Sequence, residues 1–284
     1  MTLKKLICGE CVEELKRIPA DSINTVIADP PFFIINQYGS FRKKRRKKYS
    51  ALSIPTRFFK DVFQECERVL KPNGHLLVFC DPITYPLMFQ AAYEYFDKIR
   101  CLIWYKGRIG LGGSGTWRYT FEMILHAWNS GAYFPRRDLK DLIECPVVPE
   151  KRRIHPAQKP VKLVKAVIES CTPPSGLVLD PFFGSGASAI ACEELGLNWI
   201  GIELDEEYYQ KAKTRIADRK TGGSNCGDKG GNLKCELCGN DQPDEFVWCR
   251  NEAGVIVEVV CKRCGCVVLE GDALTKYLSF WEMK

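Results

Sequence analysis

Seven short apolar runs rich in β-branched residues, at 3–7, 25–28, 76–80, 101–105, 123–127, 177–179 and 199–202, limit this chain's fold more than any other feature. Segments of helical length and period separate most of them, at 12–18, 56–70, 86–95, 163–171, 187–195 and 206–217. Neighbouring parallel strands need a long crossover, and a helix supplies it, so strand–helix alternation predicts a sheet covered by helices on both faces. The expected fold is α/β, with a seven-stranded, mostly parallel sheet.

Composition divides the chain. Residues 1–219 read as the α/β domain, and 220–232 are too polar and glycine-rich to pack, so they read as a flexible linker. Residues 233–284 form a cysteine-rich module too small for a hydrophobic core without a staple. Of the 15 cysteines, those at 8, 11, 66, 80, 101, 145, 171 and 192 are scattered through apolar segments, as small buried hydrophobes are in a reducing compartment. No apolar stretch approaches the roughly 20 residues of a membrane-spanning helix, and no signal-peptide pattern opens the sequence, so a cytoplasmic location is expected.

Two strand ends carry chemistry. In Val178-Leu179-Asp180-Pro181-Phe182-Phe183-Gly184-Ser185-Gly186 a strand stops at a carboxylate and a glycine turn, and a helix follows. Doubly wound folds bind nucleotide-like cofactors in this setting. The dinucleotide fingerprint is incomplete, because position 189 is alanine where a third glycine belongs in the strict pattern. About twenty residues on, Gly201-Ile202-Glu203 ends the next strand in a carboxylate suited to ribose hydroxyls. The second strand end is Asn24-Thr25-Val26-Ile27-Ala28-Asp29-Pro30-Pro31-Phe32, where two prolines without N–H groups force the backbone out of the sheet beside Asp29.

These motifs, with Gly9-Glu10-Cys11, Phe121-Glu122-Met123-Ile124-Leu125 and His155-Pro156-Ala157-Gln158-Lys159-Pro160, resemble those of the DNA amino-methyltransferases (adenine-N6 and cytosine-N4). Their order matches the subgroup with its catalytic motif ahead of its cofactor motif, over roughly residues 1–218. The resemblance implies a Rossmann-like fold that binds S-adenosylmethionine. In it Asp180, Phe182, Gly184 and Gly186 line the methionine side, and Glu203 takes the ribose. Glu10 and Cys11 approach the adenine moiety, while His155, Gln158 and Lys159 close over the methionine end. Three positions depart from the family pattern: Glu10 for aspartate, Ala157 for threonine and Phe32 for tyrosine.

Asp29-Pro30-Pro31-Phe32 suits that chemistry on its own terms. The lone pair of an exocyclic base amine is delocalised into its ring, so the amine is a poor nucleophile. A carboxylate and a proline carbonyl, each accepting one amine hydrogen, localise the pair for attack. Phe32 stacks on the base, which must be flipped out of the duplex to reach the site. No Pro-Cys dipeptide, the mark of attack through a ring carbon, occurs in the chain. Aspartate at position 29 favours adenine; cytosine-N4 is the alternative target, since the cytosine enzymes of the family more often carry serine there.

The net charge is +6, and Arg42-Lys43-Lys44-Arg45-Arg46-Lys47-Lys48 alone carries +7, leaving −1 for everything else. This run follows the catalytic tetrapeptide, between Phe41 and Tyr49, and reads as a phosphate-binding element for DNA. The interval 130–153, where the family usually reads its target, is short, so a short or relaxed target sequence is expected. Cys235-x-x-Cys238 and Cys261-x-x-Cys264, 22 residues apart, have the spacing of a four-cysteine zinc ribbon with a hairpin between the pairs. Four thiolates leave the metal no open position, so the zinc is structural. A homodimer is compatible with the sequence. The non-enzymatic alternative is a zinc-ribbon DNA-binding protein on an inactive methyltransferase fold; intact Asp29, Lys159, Asp180 and Glu203 speak against it.

Overall fold

The computed structural model describes residues 3–30, 56–107, 117–149 and 152–220, together with three strands at 246–250, 256–261 and 267–270. The chain divides into two compact units, residues 1–147 with 153–223 and residues 148–152 with 224–284.

In the first unit β1 (Lys4–Cys8), β2 (Ile23–Ala28), β3 (Leu70–Cys80), β4 (Lys98–Tyr105), β5 (Phe121–Trp128), β6 (Leu142–Glu144), β7 (Leu177–Asp180) and β8 (Asn198–Glu203) form one sheet in the order β1-β8-β7-β2-β3-β5-β4-β6. Described strands therefore number eight in this sheet, not the expected seven. The additional one is β6, a three-residue edge strand parallel to β4. The five strands from β1 to β3 in that order are mutually parallel, and β5 runs antiparallel to both β3 and β4.

Among the described residues six helices join or follow these strands: α1 (Cys11–Leu15), α2 (Thr56–Val69), α3 (Tyr85–Ala92), α4 (Val161–Glu169), α5 (Ala187–Glu194) and α6 (Glu206–Lys220). In α2 the buried residues Phe59, Val62, Phe63, Cys66 and Val69 recur at helical spacing and present one apolar face. Arg68 of α2 also donates to the carbonyls of Leu15 (2.8 Å) and Ile18 (3.0 Å), tying α2 to the end of α1. From β2 through α2 the chain steps to β3 on one side; from β7 through α5 it steps to β8 on the other. Right-handed crossovers in opposite directions place α2 and α5 on opposite faces. β2, at the centre, is buried along its whole length, as a strand covered on both faces must be.

β3 begins earlier than the apolar run at 76–80 suggests. Ile23 pairs with Leu70 and Thr25 with His75, so residues 71–74, including Pro72, stand opposite Asn24 alone. The bulge accommodates a proline that a regular ladder would not.

In the second unit β9 (Phe246–Arg250), β10 (Ile256–Cys261) and β11 (Val267–Glu270) form an antiparallel sheet in the order β11-β10-β9, with β9 and β10 in the expected hairpin region. Cys261 closes β10. Cys235, Cys238 and Cys264, Pro31 and Phe32, the basic run 42–48 and linker residues 221–232 lie outside the described residues; Lys220 is the last residue of α6. Among the described residues no helix is long and apolar enough to cross a membrane.

Candidate active site

Because β1, β8, β7 and β2 are adjacent and parallel, their carboxyl ends lie along one edge of the sheet. Glu10 follows β1, Glu203 ends β8, Asp180 ends β7 and Asp29 follows β2. The crossovers diverge between β7 and β2, the switch point where open α/β sheets form their ligand crevice, and Asp180 and Asp29 flank it.

On the β7–β8 side Asp180 is 9% exposed. One carboxylate oxygen accepts the Phe182 N–H (3.0 Å) and the other the Ser188 hydroxyl. Burial nevertheless dominates and pushes its pKa up to about 7. The turn that follows needs glycine, since Gly184 and Gly186 have φ of +52° and +74°. The Gly184 N–H donates to Glu203 Oε2 (2.7 Å), and the Asp205 N–H donates to Glu203 Oε1 (2.9 Å). Glu203 thus pins the turn through both of its carboxylate oxygens. Burial raises its pKa above the ordinary carboxylate value. Phe183 stacks on Trp199 and lies so close over Gly201 that an added Cβ would come within 2.2 Å of its ring.

Glu10 is the N-cap of α1: Oε2 accepts the Glu13 N–H (3.0 Å), and Oε1 accepts the Cys11 thiol (3.2 Å). Burial pushes the Cys11 thiol pKa up, which keeps it protonated as a donor. His155 meets Tyr208 edge-on at 4.4 Å, takes the Ala157 N–H on Nδ1, and lies beside Gly184. The buried Gln158 folds back to accept the Ile154 N–H (3.0 Å), stapling its own loop.

The Lys159 ammonium sits on the Asp29 carboxylate, with Nζ 2.6 Å from Asp29 Oδ2. The same Nζ lies 3.4 Å from Glu122 Oε2, and Lys106 Nζ lies 2.7 Å from Glu122 Oε1. Two cations and two anions therefore form a chain in a largely dry setting, with side-chain exposures of 21% for Asp29, 8% for Lys159, 19% for Glu122 and 17% for Lys106. Lys159 also lies 5.1 Å from the centre of the Phe79 ring, and Lys106 the same distance from that of Trp104. Burial raises the Asp29 pKa and is only partly offset by Lys159. At Glu122 burial also raises, but Lys159 and Lys106 outweigh it and hold the carboxyl below its ordinary value. For Lys159 burial lowers, and Asp29 and Glu122 overcome it, so the ammonium is retained.

Glu122 and Lys106 were not among the expected site residues. Glu122 stands in the Phe121-Glu122-Met123-Ile124-Leu125 motif, to which the sequence assigns no site role, and Lys106 carries no motif of its own.

The model of the N6/N4 methyltransferase family, described as DNA methylase, matches residues 23–214. Type II methyltransferase M.HinfI of Haemophilus influenzae is 25% identical over 260 residues, covering 77% of this chain and 69% of that protein. DNA adenine methyltransferase YhdJ of Escherichia coli (strain K12) is 28% identical over 250 residues, covering 75% and 82%. Two solved structures share the fold. The M1.HpyAVI–SAM complex has a TM-score of 0.56 at 23% identity, covering 74% of this chain and 98% of that one. The PvuII DNA methyltransferase, cytosine-N4-specific, has a TM-score of 0.60 at 19% identity, covering 76% and 87%.

Proposed function

The chain belongs to the N6/N4 DNA methylase family, and on that premise we propose that it transfers a methyl group from S-adenosylmethionine to the N6 amine of adenine in DNA. The observation that carries this reading is the placement of Asp29 and Asp180 on neighbouring strand ends at the switch point, where one would face the acceptor and the other the donor.

The residues present fit the donor. Glu203 is a carboxylate at the end of β8 suited to ribose hydroxyls, and the left-handed Gly184 and Gly186 form the tight turn beside it. When bound, S-adenosylmethionine supplies a methyl group made electrophilic by its sulfonium sulfur. Asp180 and Phe182 would hold its methionine side, with His155 and Gln158 bordering the same end. Glu10 and Cys11, ahead of α1, would meet the adenine. On the acceptor side Asp29 accepts one amine hydrogen and the Pro30 carbonyl the other, so the nitrogen lone pair is directed outward rather than into the ring. Pro31 stiffens the exit, and Phe32 stacks on the flipped base. Lys159 favours the anionic form of Asp29 and opposes, in part, the burial that favours the neutral acid.

Arg42, Lys43, Lys44, Arg45, Arg46, Lys47 and Lys48 would contact DNA phosphates beside the tetrapeptide. In the second unit Cys235, Cys238, Cys261 and Cys264 would hold a structural zinc. Cys261 closes a strand of a small antiparallel sheet, as a zinc-ribbon ligand does, and four thiolates suit tetrahedral coordination.

Unmethylated DNA incubated with methyl-labelled S-adenosylmethionine and then digested to nucleosides tests the reading. Labelled N6-methyladenine is expected, and Asp29→Ala should abolish it while still binding the donor. Labelled N4-methylcytosine would overturn the choice of base; no labelled nucleoside would overturn the activity.

A further inference from the structure

Resting on that reading, we propose that Lys159 is a fixed clamp on Asp29: it holds Oδ2 so that Oδ1 is the oxygen presented to the substrate amine, with Glu122 and Lys106 as positioning residues that hold the clamp. A carboxylate turns easily about its terminal bond, because that torsion is broad and twofold. The Lys159 ammonium stops the turning by donating to Oδ2 at 2.6 Å. Oδ1 has no hydrogen-bond partner among the described residues, so it is the side on which an N–H can be received. An acceptor fixed before the substrate arrives spends no transfer rate on finding its orientation.

A lysine makes a poor clamp unless its head is held, because its flexible stem carries about 2 kcal/mol of rotamer entropy. Besides its bond to Asp29, Nζ lies 3.4 Å from Glu122 Oε2 and 5.1 Å from the centre of the Phe79 ring. Glu122 is held in its turn. Lys106 Nζ donates to its Oε1 at 2.7 Å, and the Lys106 N–H donates to the Thr120 carbonyl (2.9 Å), which ties that lysine to the lead-in of β5. Oε2 is left facing Lys159 at ion-pair distance and without a hydrogen-bond partner among the described residues. Its pull is one of charge, so it steadies the ammonium without competing for the bond to Asp29. The two cations and two anions balance, and none of them has to move when the amine arrives.

Single-turnover methyl transfer, read on the pH plateau where Asp29 is fully ionised, separates this role from one of charge alone. On the plateau a group that only tunes the Asp29 pKa no longer affects the rate, whereas a group that holds geometry still does. Glu122→Asp keeps the charge and withdraws the carboxylate by one methylene. Its plateau rate should fall about tenfold or more, against the roughly hundredfold attributed to a 1 Å misplacement, with donor and DNA affinities unchanged. Lys106→Met should lower the plateau rate likewise, and Lys106→Arg should recover most of it. In a Lys159→Met background Glu122→Asp should cost no further rate, because it acts through the clamp; independent structural damage would multiply. The inference fails if Glu122→Asp or Lys106→Met reaches the wild-type rate on the plateau, if Lys106→Arg recovers nothing, or if the Glu122→Asp and Lys159→Met losses multiply. Should Lys159→Met not fold, the two Lys106 variants decide. A wild-type protein that transfers no methyl group would instead overturn the underlying function.

Discussion

Asp180 and the pair His75 and His126 make opposite demands on pH. Asp180 has its folded pKa raised by burial to about 7, so the native state binds its proton more tightly than the unfolded chain does. Its contribution to stability is fully present below the unfolded value and is lost as pH rises through about 7. Asp180→Asn should therefore raise the melting temperature at pH 8 while weakening binding of S-adenosylmethionine, measured by calorimetry; an unchanged melting temperature would contradict the assignment. His75 and His126 behave in reverse. They are buried, with His75 Nδ1 3.0 Å from His126 Nε2 and His75 Nε2 2.8 Å from the Tyr133 carbonyl. Burial lowers their pKa values to about 4 and about 3. The unfolded chain takes up protons first as pH falls below 6.5, and stability drains away down to those values. Denaturant midpoints should decline over that window, and replacing both histidines with glutamine should flatten the decline. Gly201 bears on packing rather than charge: alanine there collides with Phe183 and should cost about 1–3 kcal/mol, recovered in part by Phe183→Leu.

Elements were read from the sequence with uneven success, and the failures have physical causes. Each of the seven apolar runs and six helical segments has its counterpart in the structure, because a buried strand such as β2 or an amphipathic helix such as α2 writes its burial directly into residue type. β6 escaped because it has three residues and Leu142 is 56% exposed, so no burial pattern marks it. The start of β3 escaped because Pro72 and Gly74 signal a turn, which the structure folds into a bulge. At the site, Asp29, Asp180 and Glu203 were legible as carboxylates closing apolar runs. The Asp29–Lys159 contact was not, because it joins residues 130 positions apart and depends on tertiary placement alone. Glu122 lies in a quoted motif, but its contact with Lys159 was not legible for the same reason, since β5 reaches the site only by inserting antiparallel between β3 and β4.

At the scale of the whole molecule, the proposed reading assigns separate chemistry to the two units. Zinc removal should act on the second unit alone: the purified chain should contain one zinc, Cys261→Ala should lose it, and donor binding by the first unit should persist. Metal-free protein from a fresh preparation would count against the ribbon. The basic run should govern general DNA affinity. Replacing Arg45, Arg46, Lys47 and Lys48 with glutamine should weaken binding and flatten its dependence on the logarithm of salt concentration, by about 0.9 for each phosphate no longer neutralised. Finally, the central pairing of β2 with β7 joins segments made far apart in time. At about 5–20 residues per second, the stretch from Asp29 to Glu203 takes on the order of ten to thirty seconds to synthesise. Throughout that interval the nascent chain carries Asp29 without Glu203, so on the proposed reading interrupted translation yields fragments that cannot mark DNA.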